Sequence, residues 1–409
     1  MSPPLATGAV RGSDGCYNPA MKTRLPSLLV DITEGVIDLG WGHPSPRLHP
    51  LGAVREAADR LLSRGDTEPL QYGATQGYGP YLETLAEFLS GQESYGMSVD
   101  PRSLFLTAGA SQGLDLACTL FAREGDTVLV EEPTYFVIER IFRAHHLSVR
   151  GVPTNKDGMD VDALEEMLEN GGLRPRFIYT IPSYHNPTGT VLPEDRRKRL
   201  VDLAHRFDFL VLADEVYQMI HFAETPPKPV ISFDSGPDGR TISYGSFSKI
   251  LSPGLRIGWI QAAPTIVDRF ADAAVTFSGG GFNHFASALV KEVIDMGLLD
   301  ENIGRLRVVY SERADAMDLA IRSHFGDLVD FSKPTGGYYF WLRFPGGLDT
   351  VELLPLAEQH GVSFRPGNVF SESGGFTDFL RLTYTLYEKE ELEEGVRRLA
   401  DVVASFGSG

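Results

Sequence analysis

The sequence has little cysteine, no long apolar run and a deficit of positive charge, and each shortage excludes a class of protein. Only two of its 409 residues are cysteines, Cys16 and Cys118, so no disulfide framework is predicted. Residues 1–15 lack the apolar stretch of a secretory signal, and no run elsewhere is long enough to cross a bilayer. We therefore expect a cytoplasmic protein with no membrane partner.

Basic residues are outnumbered, with 37 Lys and Arg against 55 Asp and Glu, which gives a formal net charge of −18. This sign is wrong for neutralising phosphates, so nucleic acid is not expected as a partner. An anionic ligand would have to be captured by a local site. A hydrophobic content of 42% is that of an ordinary globular chain, and the length predicts two or more lobes.

Short apolar or β-branched runs alternate with helical patterns through the middle of the chain, which predicts an α/β fold with a mostly parallel sheet covered by helices. The predicted strands are Leu104–Thr107, Thr127–Glu131, Phe177–Ile181, Phe209–Ala213, Thr241–Tyr244 and Ile257–Gln261. The clearest helical patterns are Gln112–Ala122, Val161–Glu169 and Pro193–Phe207.

The pattern changes after about Asn302, which predicts a smaller α+β domain at the C-terminus. Its predicted elements are a helix to about Phe325, strands at Tyr338–Arg343, Val362–Phe364 and Phe379–Thr383, and a helix from Glu388 to about Ala404. The first fifty residues show little periodicity. We predict an N-terminal arm over residues 1–50, a large domain over 51–302 and a small domain over 303–409.

Two turns follow predicted strands and carry ligand-binding chemistry. After Leu104–Thr107 the chain passes through small residues into a helix, where the free N–H groups of Ala110, Ser111 and Gln112 could hold a phosphate. An ordinary strand-to-helix turn capped by Ser111 is the alternative. Asn186, in a Pro-Thr-Gly turn, offers an amide donor suited to a phenolate oxygen, although Asn-Pro is also plain turn chemistry.

Asp214 ends the apolar run Phe209–Ala213, where a half-buried carboxylate is costly unless a cation pairs with it. A protonated pyridine nitrogen is one such cation. The alternatives are a helix cap or a metal ligand, but no His or Cys cluster accompanies Asp214, so no metal is predicted.

Lys249 stands among hydroxyls, glycines and apolar residues, and Arg256 follows seven positions later. Such surroundings disfavour the ammonium form and make the free amine nucleophilic, although a lone lysine is more commonly a solvated surface charge. Ser246, Ser248 and Arg256 are candidates for binding a phosphate.

These segments, in this order, resemble the class I/II aminotransferases of fold type I, most closely the kynurenine/2-aminoadipate and aromatic branch. The resemblance extends from about Arg24 to the final helix. It implies a pyridoxal 5′-phosphate cofactor and a large domain with a mostly parallel, seven-stranded type of sheet beside a smaller α+β domain.

The resemblance also implies a role for each motif residue. Lys249 would be the Schiff-base lysine, Asp214 the partner of the pyridine nitrogen, Asn186 and Tyr217 donors to the ring hydroxyl oxygen, and Tyr135 the stacking ring. The remaining implied cofactor ligands are Ala110, Ser111, Gln112, Ser246, Ser248 and Arg256 at the phosphate.

On the substrate side, the resemblance implies that Arg381 grips the α-carboxylate and that Asn186 also contacts the substrate. It further implies a homodimer with shared sites, in which Tyr72 crosses the interface to the partner subunit's cofactor phosphate. Gly42 and Trp41 lie in a segment that borders the substrate. A small residue is usual at the position of Trp41. The larger indole ring of Trp41 would narrow the substrate pocket, or it would turn into the core or the dimer interface. Arg24 resembles a position whose arginine meets ligand side chains.

The activity implied is transamination from an α-amino acid, aromatic or similar to 2-aminoadipate, to a 2-oxo acid such as 2-oxoglutarate. One alternative is another pyridoxal phosphate reaction on an amino acid: racemisation, decarboxylation or cyclisation. Trp41 keeps that alternative open. A second alternative is a ligand-sensing regulator, which would need an added basic DNA-binding domain. The chain is acidic and the resemblance already begins by about Arg24, so we expect no room for such a domain.

Overall fold

A computed structural model of the chain describes residues 27–29, 33–234, 236 and 238–406. All the elements named below lie in one compact unit, Val36–Gly409. No helix in these described ranges combines the length and apolar character needed to cross a membrane.

The described part of this unit contains thirteen strands and twelve α-helices. The strands are β1 (Ile37–Asp38), β2 (Leu104–Thr107), β3 (Thr127–Glu132), β4 (Ser148–Asn155), β5 (Gly158–Met159), β6 (Phe177–Thr180), β7 (Leu210–Asp214), β8 (Thr241–Ser246), β9 (Gly258–Ala262), β10 (Tyr339–Arg343), β11 (Val362–Ser363), β12 (Arg365–Pro366) and β13 (Phe379–Thr383). The helices are α1 (Leu51–Ser63), α2 (Gly79–Gly91), α3 (Ala110–Phe121), α4 (Phe136–Ala144), α5 (Val161–Glu169), α6 (Glu194–Phe207), α7 (Pro264–Ala271), α8 (Ala274–Gly279), α9 (His284–Asp295), α10 (Leu298–Phe325), α11 (Thr350–Gln359) and α12 (Lys389–Phe406).

The large sheet has eight strands in the order β2-β9-β8-β7-β6-β3-β4-β5, which confirms the predicted mostly parallel α/β fold. The resemblance implied a seven-stranded type of sheet. The additional strand is the two-residue β5, which pairs antiparallel with β4. β9 is antiparallel to both of its neighbours. The segment between β8 and β9, residues 247–257, is too short for a helical crossover, which takes a dozen or more residues.

Side chains of the central strands alternate between two apolar layers, because successive residues of a strand point to opposite faces. Val128 and Val130 of β3 join the larger core cluster, whereas Leu129 joins the smaller one with Val211 and Leu200. The carboxyl ends of β2, β3, β6, β7 and β8 therefore open onto one edge of a sheet that is covered on both faces. Ligands bind at this edge in open α/β sheets.

The C-terminal part of the chain forms a three-stranded antiparallel sheet, β10-β13-β12. The strand predicted at Val362–Phe364 is split into β11 and β12, and β11 pairs in parallel with β1. Part of the segment predicted as an irregular arm therefore forms a strand. The domain boundaries at residues 50 and 302 stay a prediction.

Candidate active site

Lys249 lies in the turn after β8, and its amine faces a group of aromatic rings. Its Nζ donates a hydrogen bond to the Gly42 carbonyl oxygen at 3.0 Å and lies 4.9 Å from the centre of the Tyr338 ring. Burial lowers the pKa of Lys249 from 10.5 to about 8, against the opposing charge of Asp214 and with the help of Arg381. The free, nucleophilic amine is therefore far more populated near neutral pH than in an ordinary lysine, at roughly a tenth of the molecules at pH 7.

Asp214 ends β7 in a half-buried position on the same edge. Its Oδ2 accepts a hydrogen bond from the Tyr179 hydroxyl at 2.8 Å, and its Oδ1 is buried with no hydrogen-bond partner in the described chain. Burial raises the pKa of Asp214 from 3.8 to about 6, although hydrogen bonds from Tyr179 and the Val216 backbone oppose the rise. This buried acceptor has no hydrogen-bond partner, so a ligand with a cationic donor would stabilise it.

Tyrosines connect the lysine to the small sheet. The Lys249 Nζ lies 5.8 Å from the centre of the Tyr217 ring, and the Tyr217 hydroxyl lies 3.1 Å from that of Tyr339. The Tyr339 ring in turn lies 4.2 Å from the guanidinium carbon of Arg381. Burial, with the nearby Tyr339 and Asp214 charges, raises the pKa of Tyr135. These rings therefore form one apolar wall that excludes water.

Arg381, on β13, is a buried cation with neutral partners. Its guanidinium donates to the Asn186 Oδ1 at 2.7 Å and to the Gly40 carbonyl oxygen at 2.6 Å, and its Nε is buried without a partner. Burial lowers its pKa. No carboxylate of the described residues lies within ion-pairing distance. Since Asn186 uses its oxygen on Arg381, its amide nitrogen is free to donate elsewhere.

A tight cradle forms where α3 begins. Gly109 has a φ of +89°, and a Cβ there would lie 2.8 Å from the Nη2 of Arg256. That same Nη2 donates to the Ala108 carbonyl oxygen at 3.1 Å, and the Gln112 side chain accepts from the Ala108 N–H at 3.0 Å. The first turn of α3, with Ala110 and Ser111, thus lies beside an exposed guanidinium.

The hydroxyls of Ser246 and Ser248 lie at the end of β8, 3.0 Å from each other. Gly258 of β9 pairs with Ser246 on one side and with Thr107 on the other. The serines therefore reach the same edge as the start of α3. Pyridoxal phosphate fits these residues, because they supply an unmatched buried acceptor for its ring nitrogen and a glycine-lined cradle at a helix N-terminus for its phosphate.

The structure brings together most of the residues that the sequence predicted for the site. Tyr72 is 87% exposed, and its predicted role concerns a second chain. Arg24 lies outside the described residues. Trp41 is half-buried, and its ring faces the guanidinium of Arg365 at 4.0 Å.

Five residues of the site carried no recognised signal in the sequence: Tyr179, Tyr338, Tyr339, His43 and Arg365. Tyr179 lies on the face of β6 that points into the larger core cluster, and alternation along that strand could have identified it. The pKa of His43 is lowered to about 4 by burial and by the charges of Lys249, Arg381 and Arg365. These three cations therefore lie near His43, a proximity that no local pattern predicts.

The chain is similar over most of its length to known aminotransferases. The family model for aminotransferase class I and II matches residues 34–399. Aromatic-amino-acid aminotransferase 1 of Thermococcus litoralis is 35% identical, covering 91% of this chain and 88% of its own length. The 2-aminoadipate transaminase of Thermus thermophilus is 36% identical, covering 89% of each chain. The Pyrococcus horikoshii kynurenine aminotransferase, solved in complex with PMP, has a TM-score of 0.85 at 32% identity, covering 91% of this chain and 92% of that one.

Proposed function

Since the chain belongs to the class I and II aminotransferases and is a pyridoxal phosphate-dependent aminotransferase, we propose the substrates and the residue roles of its reaction. The donor is an α-amino acid of aromatic or 2-aminoadipate type, and the acceptor is a 2-oxo acid such as 2-oxoglutarate. The names of these two relatives support this choice rather than racemisation, decarboxylation, cyclisation or a regulatory role. The observation that carries the proposal is a nucleophilic lysine between a buried carboxylate and a buried guanidinium, each lacking a counter-charge of matching strength.

The cofactor is assigned to the edge of the large sheet. When bound, it supplies an electrophilic carbon for the amino nitrogen and a cationic ring that accepts electrons. Lys249 holds that carbon through its Nζ, and Asp214 accepts from the ring nitrogen through its open Oδ1. The free amide of Asn186 and the Tyr217 hydroxyl donate to the ring oxygen, and Tyr135 stacks on the ring. The phosphate ligands are Ala110, Ser111, Gln112, Ser246, Ser248 and Arg256.

The substrate lies on the side of the small sheet. Arg381 orients it by a bidentate contact with the α-carboxylate, which supplies the negative charge that the guanidinium lacks. The substrate amino nitrogen would first replace Lys249 on the cofactor carbon, and the freed Lys249 amine would then take the proton from the substrate Cα, which its pKa of about 8 allows near neutral pH. The buried tyrosines keep water from this proton, while Gly42 and Trp41 border the substrate. Arg24 is a further candidate for contacting the side chain of the substrate.

A cytoplasmic homodimer with shared sites is part of the proposal. Tyr72 is 87% exposed, and the nearby apolar residues Leu70 and Phe277 are 67% and 81% exposed. Gly73 lies against Gly280, so the segments that carry these residues are neighbours. Exposed apolar clusters of this kind mark interfaces. Light scattering tests the dimer, and a monomer with full activity would contradict the role of Tyr72.

The activity is tested by mixing the loaded enzyme with single amino acids and following the loss of the cofactor's absorbance, without and then with 2-oxoglutarate. We expect conversion by aromatic or dicarboxylic amino acids and recovery only when the acceptor is added. Borohydride reduction of the resting enzyme followed by mass spectrometry should place the cofactor on Lys249. Its attachment to another lysine, or products that need no acceptor, would contradict the proposal.

A further inference from the structure

Arg365 is a second arginine beside the one assigned to the α-carboxylate. It opens β12, and its Cα pairs in register with that of Arg381 on β13. Directly paired residues of antiparallel strands project from the same face of a sheet. Both guanidinium groups therefore point to the side of the sheet that carries Tyr339 and the active site.

The contacts of Arg365 leave its hydrogen-bonding edge open. The residue is half-buried, with its guanidinium carbon 4.0 Å from the centre of the Trp41 ring. It makes no hydrogen bond and no ion pair within 4 Å to any described residue, although a guanidinium carries five donors. Asp38 and Glu358 are near enough to influence its pKa, which burial lowers, but they lie beyond ion-pairing distance. Each of these carboxylates already accepts a local hydrogen bond, from Gly40 N–H and Ser363 Oγ.

The segment Gly40–His43 connects this arginine to the reacting groups. The Gly40 carbonyl accepts from Arg381, the Gly42 carbonyl accepts from Lys249, and the Trp41 ring between them faces Arg365. The charges of Lys249, Arg381 and Arg365 all lower the pKa of His43, so all three cations lie near this segment. The His43 Nδ1 is buried there without a hydrogen-bond partner.

We propose that Arg365 binds the distal carboxylate of a dicarboxylic substrate while Arg381 binds the α-carboxylate. The class comprises dicarboxylic amino acids and 2-oxo acids such as glutamate, 2-oxoglutarate and 2-aminoadipate. Trp41 covers one face of the guanidinium and directs its edge, which matches a planar carboxylate in bidentate geometry. The inference rests on the proposed function and names the residue that selects its substrates.

Charge supports this assignment. Arg365 and Arg381 are like charges at directly paired register positions, and the charge of Arg365 disfavours the cationic form of the buried Arg381. A monocarboxylate compensates one of them. A dicarboxylate compensates both, so the pocket gains most from a ligand that carries two negative charges.

The test is Arg365→Gln in the loaded enzyme, with Arg343→Gln as the matched control. Arg343 lies on the neighbouring strand β10, also above an aromatic ring, at 5.7 Å from the centre of Phe379, but it is ion-paired to Asp378 at 3.0 Å. Single-turnover efficiency is measured with glutamate and with norvaline, which has the same carbon chain without the distal carboxylate. Calorimetric binding of glutarate and of pentanoate gives a second readout that involves no turnover.

For Arg365→Gln we expect the efficiency with glutamate and the affinity for glutarate to fall about 10- to 100-fold, as for the loss of a charge-assisted hydrogen bond. Norvaline and pentanoate should change less than about 3-fold, and Arg343→Gln should change neither pair. Equal losses with glutamate and norvaline, or an unchanged preference, would overturn the role of Arg365 while leaving transamination intact. If the wild type converts no amino acid, the proposed function fails, whereas the glutarate measurement still decides the role of Arg365.

Discussion

The two charged ends of the site, Asp214 on the large sheet and Arg381 on the small sheet, each have a buried polar atom without a hydrogen-bond partner in the described chain. They differ in how the protein holds the charge. Asp214 receives one side-chain hydrogen bond, from Tyr179, and burial raises its pKa to about 6, so its ionised form depends on a cationic ligand. Arg381 donates to two neutral oxygens and keeps its charge at any physiological pH.

This difference shows what each sheet contributes. The Asp214 end is adjustable, because its protonation can follow the arrival of the cofactor's ring nitrogen. The Arg381 end is a fixed positive charge that selects any substrate with an α-carboxylate. A buried charge without its partner is unfavourable, so ligand binding relieves a cost at both ends.

Removing the charge at the adjustable end should have the largest effect. In Asp214→Asn the ring nitrogen loses its buried carboxylate, and disrupting such a pair costs about 3 kcal/mol or more, which corresponds to a more than 100-fold loss of turnover. Retention of the cofactor should fall much less, since the phosphate cradle is separate. Stopped-flow half-reactions and dialysis measure the two quantities. Asp115→Asn, at an exposed aspartate whose carboxylate contacts His145, is the control.

Near-normal turnover of Asp214→Asn would show that this carboxylate does not act on the ring. The two ends of the site would then differ in function as well as in chemistry.

Removing the fixed charge should act on substrate binding. Arg381→Ala loses a charge-assisted contact worth about 1.5–3 kcal/mol, so KM should rise roughly 10- to 100-fold for every α-amino acid. The preference among side chains should survive. Arg381→Lys retains the charge without the bidentate fork and should recover only part of the loss. Steady-state kinetics over several donors measure this, and a rise confined to one class of donor would contradict the role.

Local sequence patterns predicted the reacting groups because each lies at the end of a recognisable strand. Lys249 follows β8, Asp214 ends β7 and Asn186 follows β6, and parallel strands bring these ends to one edge. The same reasoning was less exact about where each element begins and ends, but it predicted that these residues lie at one edge of the sheet.

Residues that depend on pairing between distant segments could not be predicted this way. Arg365 acquires its position from the register of β12 with β13, and β12 has only two residues. Trp41 meets Arg365 because β1 pairs with β11, across more than three hundred residues of chain. Neither pairing has a periodic signal, since two-residue strands show no alternation.

The smallest expected effect tests whether Tyr179 adjusts the protonation of Asp214. The Tyr179 hydroxyl donates to the Asp214 Oδ2 at 2.8 Å, which favours the ionised carboxylate and opposes the effect of burial. In Tyr179→Phe the pKa of Asp214 should therefore rise above its value of about 6. More of the carboxyl is then protonated near neutral pH, and it must lose that proton before it can pair with a cationic ring.

The affinity of the cofactor-free Tyr179→Phe protein for the cofactor should thus be a few-fold below that of the wild type between about pH 6 and pH 7, as for one lost hydrogen bond. By about pH 8 the two affinities should be nearly equal. Fluorescence titration at several pH values measures this ratio. Tyr244→Phe is a matched control, because Tyr244 is the register partner of Asp214 on β8 and its buried hydroxyl has no partner in the described chain. A weakening that is the same at every pH would mean that Tyr179 supports packing rather than the charge of Asp214.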